Sequence, residues 1–144
     1  MEIAFFRLIK EAKSLTESTL DGITVTFDYE NIFNWTCYLL GPENSPYEGL
    51  TYELNIEFSD NYPFHHPEIY FITPVFHPNI FTTGYFTITK WSPVIRVKHV
   101  LLSIRGLMSI SMERSDVIRN EEAADLLRLN PDAFKKKVLE WHKR

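Results

Sequence analysis

Residues 23–40, ITVTFDYENIFNWTCYLL, carry two alternating runs separated by a short link: Ile23, Val25 and Phe27 in the first, and Phe33, Trp35, Cys37 and Leu39 in the second. Apolar residues at every second position put one face of each run in a core and the other in water, the mark of a half-buried strand. So short a link cannot hold the crossover that parallel pairing needs, and the two strands are expected to be antiparallel neighbours. The same period returns in Tyr52, Leu54, Ile56 and Phe58, after the Gly- and Pro-containing loop GPENSPYEG at 41–49. It returns more briefly in Ile69 and Phe71, after the proline-bounded segment YPFHHP at 62–67. Four strands in sequence, joined by short links, predict an antiparallel meander.

Outward from this sheet the period changes. Upstream, Phe5, Leu8, Ile9, Ala12 and Leu15 recur at helical spacing while Arg7, Lys10, Glu11 and Ser14 fill the other positions, which predicts an amphipathic first helix with those four on its polar side. Downstream, from Thr73 to about Val97, neither period holds, and Pro74, Pro78, Gly84 and Pro93 interrupt every candidate element. A loop this long inside a compact domain is uncommon and often functional. Helical spacing resumes in Val97, Leu101, Ile104, Leu107 and Met108. Two further helices have readable starts, Asn120 capping before Glu121-Glu122 and Asn130 capping before Pro131, and the last is expected to bury Phe134, Val138 and Trp141. The class is α+β: an N-terminal helix, a four-stranded antiparallel meander sheet, a long active-site-like loop and C-terminal helices, in a single domain over residues 1–144.

Composition narrows the function. A chain of 144 residues suits one domain with a real core, and 15% aromatic content suggests a core built from Phe, Tyr and Trp. No apolar run is long enough to span a bilayer, and the N-terminal MEIAFFRLIKEAK carries charges where a signal peptide keeps its apolar segment clean. A cytoplasmic place, extending to the nucleus, and no membrane partner are therefore expected. A net charge of −4 gives no general attraction to phosphate backbones, so no nucleic-acid partner is expected. One cysteine excludes an internal disulfide and a Cys-rich zinc site, and the five histidines (His65, His66, His77, His99, His142) lack an HExxH or CxxC companion. The pair His65-His66, between Pro63 and Pro67, reads as decoration of a stiff loop, and neither a metal nor another cofactor is expected.

The order and wording of these segments resemble the ubiquitin-conjugating enzyme family over nearly the whole chain. The resemblance is carried by Trp35, GPENSPYEG at 41–49, NYPFHHPEIYF at 61–71, HPNI at 77–80, WSP at 91–93, LLSI at 101–104 and EEAADL at 121–126. HPN alone is a weak signal; several such segments in the right order are a strong one. The resemblance implies that family's fold, and a loop after HPN whose cysteine receives ubiquitin as a thioester, eight residues beyond the Asn in a Gly-x-x-Cys context. Counting eight residues on from Asn79 reaches Thr87, with Gly84 three residues before it, so the nucleophile is absent at that position. Only Ile88, Thr89 and Lys90 separate Thr87 from Trp91, fewer residues than the family has there. A shortened loop together with a lost thiol marks natural drift, since a point change would not also delete residues.

The replacement matters chemically. A thiol with a pKa of about 8.5 supplies some thiolate at neutral pH, whereas an alcohol supplies essentially none without a dedicated base, and no histidine is placed by sequence to serve Thr87. Cys37, mid-strand on the face of Phe33, Trp35 and Leu39, reads as a small buried hydrophobe and not as a substitute nucleophile. Asn79 resembles the family's Asn that helps stabilise the oxyanion as lysine attacks, and His77 its structural neighbour. With no thioester to attack, HPN reads as a turn that shapes the loop. The family's acidic residue that tunes the incoming lysine falls near Asp116, but SMERSD at 111–116 replaces the PN-containing segment before it, and that role is not carried over.

What the resemblance leaves are surfaces. The positions that ligases of the RING and related types grip in the family fall here on Phe64, on Ser92, Pro93 and Val94, and on Arg7 and Lys10 of the first helix. The plainer reading is that Phe64 and Pro93 stiffen their loops and that Arg7, Lys10 and Lys13 form a solvated helix face. The expectation is a catalytically inactive member acting by non-covalent contact in the ubiquitin or ubiquitin-like pathway. It would be an adaptor for an active conjugating enzyme, a competitor for ligase or activating enzyme, or a ubiquitin-binding module. The family's cysteine-less adaptors tend to lose HPN and the C-terminal helices, and this chain keeps both, so degeneration from an ordinary conjugating enzyme fits better. The alternative is an active transferase using an atypical acceptor residue.

Overall fold

Antiparallel pairing in chain order builds the sheet. In the computed structural model, which describes residues 2–109 and 116–144, β1 (Ile23–Phe27), β2 (Asn34–Leu40), β3 (Thr51–Glu57) and β4 (Glu68–Phe71) are neighbours in that order. The register lines up the apolar positions: Val25 faces Cys37, Cys37 faces Leu54, and Leu54 faces Phe71. A one-residue slip of any strand would turn its apolar set to water, so the alternation legible in the sequence fixes this register.

The sheet has a fifth strand where a structureless loop is expected. β5 (Tyr85–Phe86) pairs antiparallel with β4, extending the row Phe27, Trp35, Ile56, Ile69 with Phe86. Two residues are too few to show a period. The strand is set instead by Gly84, whose φ of 96° and approach to the Phe71 carbonyl, where a Cβ would stand 2.4 Å from the oxygen, admit no side chain. Its N–H donates to Phe81 O (2.8 Å) and its carbonyl accepts from Phe71 N–H (2.8 Å).

One core joins the inner rows of the sheet to the helices. Trp35, Leu39, Tyr52, Leu54 and Ile56 are fully buried, together with Leu8 and Ala12 of α1 (Glu2–Glu17), Leu101 and Ile104 of α2 (Val97–Leu107), Ala123 of α3 (Glu121–Leu129), and Phe134 and Val138 of α4 (Pro131–His142). The caps of the last two helices form as the sequence indicates. Asn120 Oδ1 accepts from Ala123 N–H at 3.1 Å, and Asn130 Oδ1 from Ala133 N–H at 3.2 Å, ahead of Pro131 at the first helical position.

One residue of α1 departs from the expected polar face. Glu11 is 4% exposed. Its carboxylate accepts from Arg7 Nε (2.8 Å), from the Val97 N–H at the start of α2 (2.9 Å) and from the Tyr62 hydroxyl. Arg7 reaches on from there, donating through Nη2 to Ile95 O at 2.9 Å and lying over the Tyr62 ring. Burial and the neighbouring carboxylate both act on that hydroxyl and push its pKa up, so Tyr62 stays a neutral donor. An isolated buried carboxylate is prohibitively costly, and three donors with one cation make this one tolerable.

A second buried polar group sits after β4. His77 stacks on Tyr47 and has both nitrogens occupied: Nε2 donates to Leu107 O at 2.7 Å, and Nδ1 accepts from Asn79 N–H at 3.0 Å. Burial drives its pKa down from 6.5 to about 4. Below pH 6.5 the unfolded chain takes up a proton that the folded chain refuses, so this group costs stability as pH falls from 6.5 towards about 4. Denaturant unfolding at pH 7 and pH 5 is expected to show a loss of about 2 kcal/mol from this group, and His77→Gln to flatten that part of the pH dependence. For the carboxylate, Glu11→Ala is expected to cost about 3 kcal/mol by stranding Arg7 and two further donors, against about 1 kcal/mol for Tyr62→Phe, both read from urea unfolding.

Candidate functional site

β5 delivers the next residues to the wall of a cleft. Thr87 follows Phe86 directly, and the segment from Phe86 to Lys90 forms one side of a cleft of about 450 Å³. Val94 and Ile95 stand at its mouth, His99, Val100, Ser103 and Leu107 of α2 form the far wall, and Asn79 and Val117 close it. The structure thus brings Thr87 and Asn79 to one place from separate elements. The lining is largely apolar, with a few polar groups among aliphatic side chains, the composition of a ligand-accepting cleft.

Among the described residues, neither histidine near the cleft is arranged to activate Thr87. Thr87 Oγ1 is buried and has no hydrogen-bond partner among the described residues. His77 cannot take its proton, with Nε2–H committed to Leu107 O and Nδ1 to Asn79 N–H. His99, in the sequence only one of five histidines without a metal-motif companion, also lines the cleft; its Nδ1 accepts from Arg96 N–H at 3.0 Å, which leaves the ring proton on Nε2. In that tautomer the ring offers the cleft a donor and no base. Asn79 Nδ2 donates to Val117 O at 2.8 Å, so part of its amide holds the chain ahead of α3. Asp116 is exposed, and residues 111–115 of the SMERSD segment lie outside the described residues.

The only cysteine is elsewhere. Cys37 is 0% exposed in β2, and burial pushes its thiol up to about 12. A thiol with that pKa in the middle of a sheet is inert at neutral pH.

Beside the cleft lie two loops tied together by Trp91, whose Nε1–H donates to Pro63 O at 2.7 Å and whose ring packs against Tyr62. Phe64, one residue beyond Pro63, is 71% exposed, and Val94 is 82% exposed, with Pro93 also exposed and Ser92 partly so. Ser92 closes this turn by accepting Ile95 N–H at its carbonyl, 3.0 Å. Lys10 is exposed on α1, whereas the guanidinium of Arg7 is spent on Glu11 and Ile95. Among the described residues one group of three metal-type ligands occurs, His65, His66 and Glu68, on the segment leading into β4 and not in the cleft. Among the same residues no helix is long and apolar enough to cross a membrane.

Comparison with known proteins agrees with this geometry. The family model for ubiquitin-conjugating enzymes matches residues 7–142. Ubiquitin-conjugating enzyme E2 13 of Saccharomyces cerevisiae is 36% identical over 141 residues, spanning 95% of this chain and 91% of the yeast protein. A solved chain from Plasmodium yoelii, assigned as a ubiquitin conjugating enzyme, superposes with a TM-score of 0.84 at 32% identity, over 97% of this chain and 93% of its own length. A first helix, an antiparallel sheet extended by one short strand, and three later helices around HPN are the fold these relatives share, and the chain belongs to the ubiquitin-conjugating enzyme family.

Proposed function

We propose that this chain is a catalytically inactive family member that acts by non-covalent contact in the ubiquitin or ubiquitin-like pathway. The observation that carries the proposal concerns sulfur: the one thiol, on Cys37, lies in the core with its pKa raised to about 12, while the position that resemblance gives to the nucleophile holds Thr87. An alcohol there would need a base to attack the activated carboxyl terminus of ubiquitin. Both ring nitrogens of His77 are occupied, and the tautomer of His99 presents a proton. Even if formed, an oxygen ester passes its acyl group to lysine far less readily than a thioester.

Proteins of this family work with partners such as ligases and activating enzymes. The surface offered to them here is the pair of loops bearing Phe64, Ser92, Pro93 and Val94, with Lys10 nearby on α1. Two large exposed apolar side chains on loops locked by the Trp91 to Pro63 bond make a rigid anchor patch, and a rigid patch loses little entropy on docking. Arg7 contributes by holding Ile95, at the end of the Ser92 turn, and not by contact. A competitor for ligases fits these features better than an adaptor, because the whole scaffold, from HPN to α4, is retained.

Two experiments test this. Incubated with ATP, ubiquitin and activating enzyme and run without reductant, the chain is expected to form no adduct. A reductant-sensitive adduct would mean that Cys37 reacts, and a hydroxylamine-sensitive adduct that survives reductant would make Thr87 an acceptor. Titrated into a ligase reaction driven by an active conjugating enzyme, the chain is expected to inhibit. Phe64→Ala and Val94→Asp are each expected to weaken that inhibition about tenfold or more while changing unfolding free energy by about 0.5 kcal/mol or less. Absence of inhibition at saturating concentration would retire the competitor role.

A further inference from the structure

The segment between Pro63 and Pro67 turns tightly, with the N–H groups of Phe64 and His65 both donating to Asn61 O at 2.8 and 3.0 Å. This turn stacks the rings of His65 and His66 with centroids 4.6 Å apart and planes within 24°. Glu68 completes a triangle: a ring nitrogen of each histidine and a carboxylate oxygen of Glu68 lie within 4.8 Å of one another. Sequence spacing does not show this third group, because a lone carboxylate after a His-His pair has no recognisable zinc-motif spacing.

Two of the three ligands, Glu68 and His66, are already oriented by a neighbour. Glu68 Oε2 accepts from the Tyr85 hydroxyl at 2.7 Å, which leaves Oε1 turned towards the imidazoles, 3.5 Å from His65 Nε2 and 4.0 Å from His66 Nδ1. His66 Nδ1 lies 2.7 Å from Pro67 O, a pure acceptor, so Nδ1 carries the proton and Nε2 keeps the lone pair. Ligating histidines and carboxylates are oriented in this way, by a second hydrogen bond to a backbone carbonyl or a side chain. One separation already fits an ion: two ligands about 2.0–2.1 Å from a tetrahedral zinc stand about 3.3 Å apart, close to the 3.5 Å between His65 Nε2 and Glu68 Oε1, and His66 joins them by turning its unprotonated Nε2 towards the pair. Charge points the same way. Among the described residues no lysine or arginine pairs with Glu68, and His65 is half exposed, so an ion can enter and water can fill the remaining positions.

We propose that His65, His66 and Glu68 form a binding site for a divalent transition-metal ion of the zinc class. Two imidazoles and one carboxylate select zinc, copper or nickel over magnesium or calcium, which prefer all-oxygen shells. Bound there, the ion would join the Phe64 loop to β4, and through Tyr85 to β5, stiffening the ground on which the exposed ring stands. The site itself is independent of whether the chain is catalytically inactive.

The test uses the full chain without a polyhistidine tag, freed of metal on chelating resin. Calorimetric titration with zinc chloride is expected to saturate at one equivalent, and magnesium chloride to give no binding. His65→Ala, His66→Ala and Glu68→Gln are each expected to weaken zinc binding about tenfold or more, while His142→Gln leaves it unchanged. Glu68→Gln retains an acceptor for Tyr85, so its fold is preserved, and zinc is expected to raise the unfolding temperature of the native chain but not of this variant. No saturable binding, equal binding of magnesium, or binding that survives the double substitution His65→Ala/His66→Ala would overturn the site.

Discussion

The carboxylate of Glu11 is the constraint on which the functional face depends. It stands inside the protein and gathers donors from three separate places: Arg7 on its own helix, Tyr62 in the loop before β4, and the first N–H of α2. A charge there is tolerable only while all its partners stay in position, so the helix, the loop and the start of α2 cannot shift independently. Arg7 passes the constraint on to Ile95, and Trp91 passes it back to Pro63. The exposed Phe64 and Val94 therefore ride on loops whose places are fixed from beneath, although both side chains face water. That arrangement lowers the ordering cost of any contact made through them.

The HPN turn has a structural role of its own. His77 spends one nitrogen on the end of α2 and the other on the next residue but one; the Pro78 carbonyl accepts the N–H groups of Arg119 and Asn120; and Asn79 holds Val117. Three consecutive residues thus secure the end of α2 and the chain that enters α3, whatever happens in the cleft. None of these bonds involves Thr87. Loss of the turn would leave several buried polar groups without partners, each costing about 1–3 kcal/mol. The turn is therefore held by stability constraints that do not depend on residue 87.

The sheet, the helices and their caps were legible because their signals are local. Alternation in 23–40 gives both strands and their buried faces, and Asn120 and Asn130 each stand directly before the helix they cap. What escaped the sequence depends on distant partners. Glu11 falls on the polar side of α1 by periodicity, and its burial rests on Tyr62 and Val97, 51 and 86 residues away. β5 is two residues long, and its pairing rests on a glycine fitted against the Phe71 carbonyl, which no period reports. At the candidate site, Thr87 and Asn79 were found only through the family resemblance, by counting on from HPN as the family's pattern implies. His99 was not found, because a polar residue on an amphipathic helix looks the same whether it faces bulk water or a cleft. Arg7 reads in the sequence as a partner-facing or solvated cation of the helix surface, and its bonds to Glu11 and Ile95 become visible only in the structure.

The burial of Cys37 has a consequence beyond catalysis. A family that works through an exposed sulfur is open to oxidants and to alkylating compounds, which act on the thiolate. Here that sulfur sits between Val25 and Leu54 in the middle of the sheet, shielded from reagents dissolved in water. Peroxide or an electrophilic compound that attacks exposed thiols would leave the Cys37 thiol of the folded chain untouched.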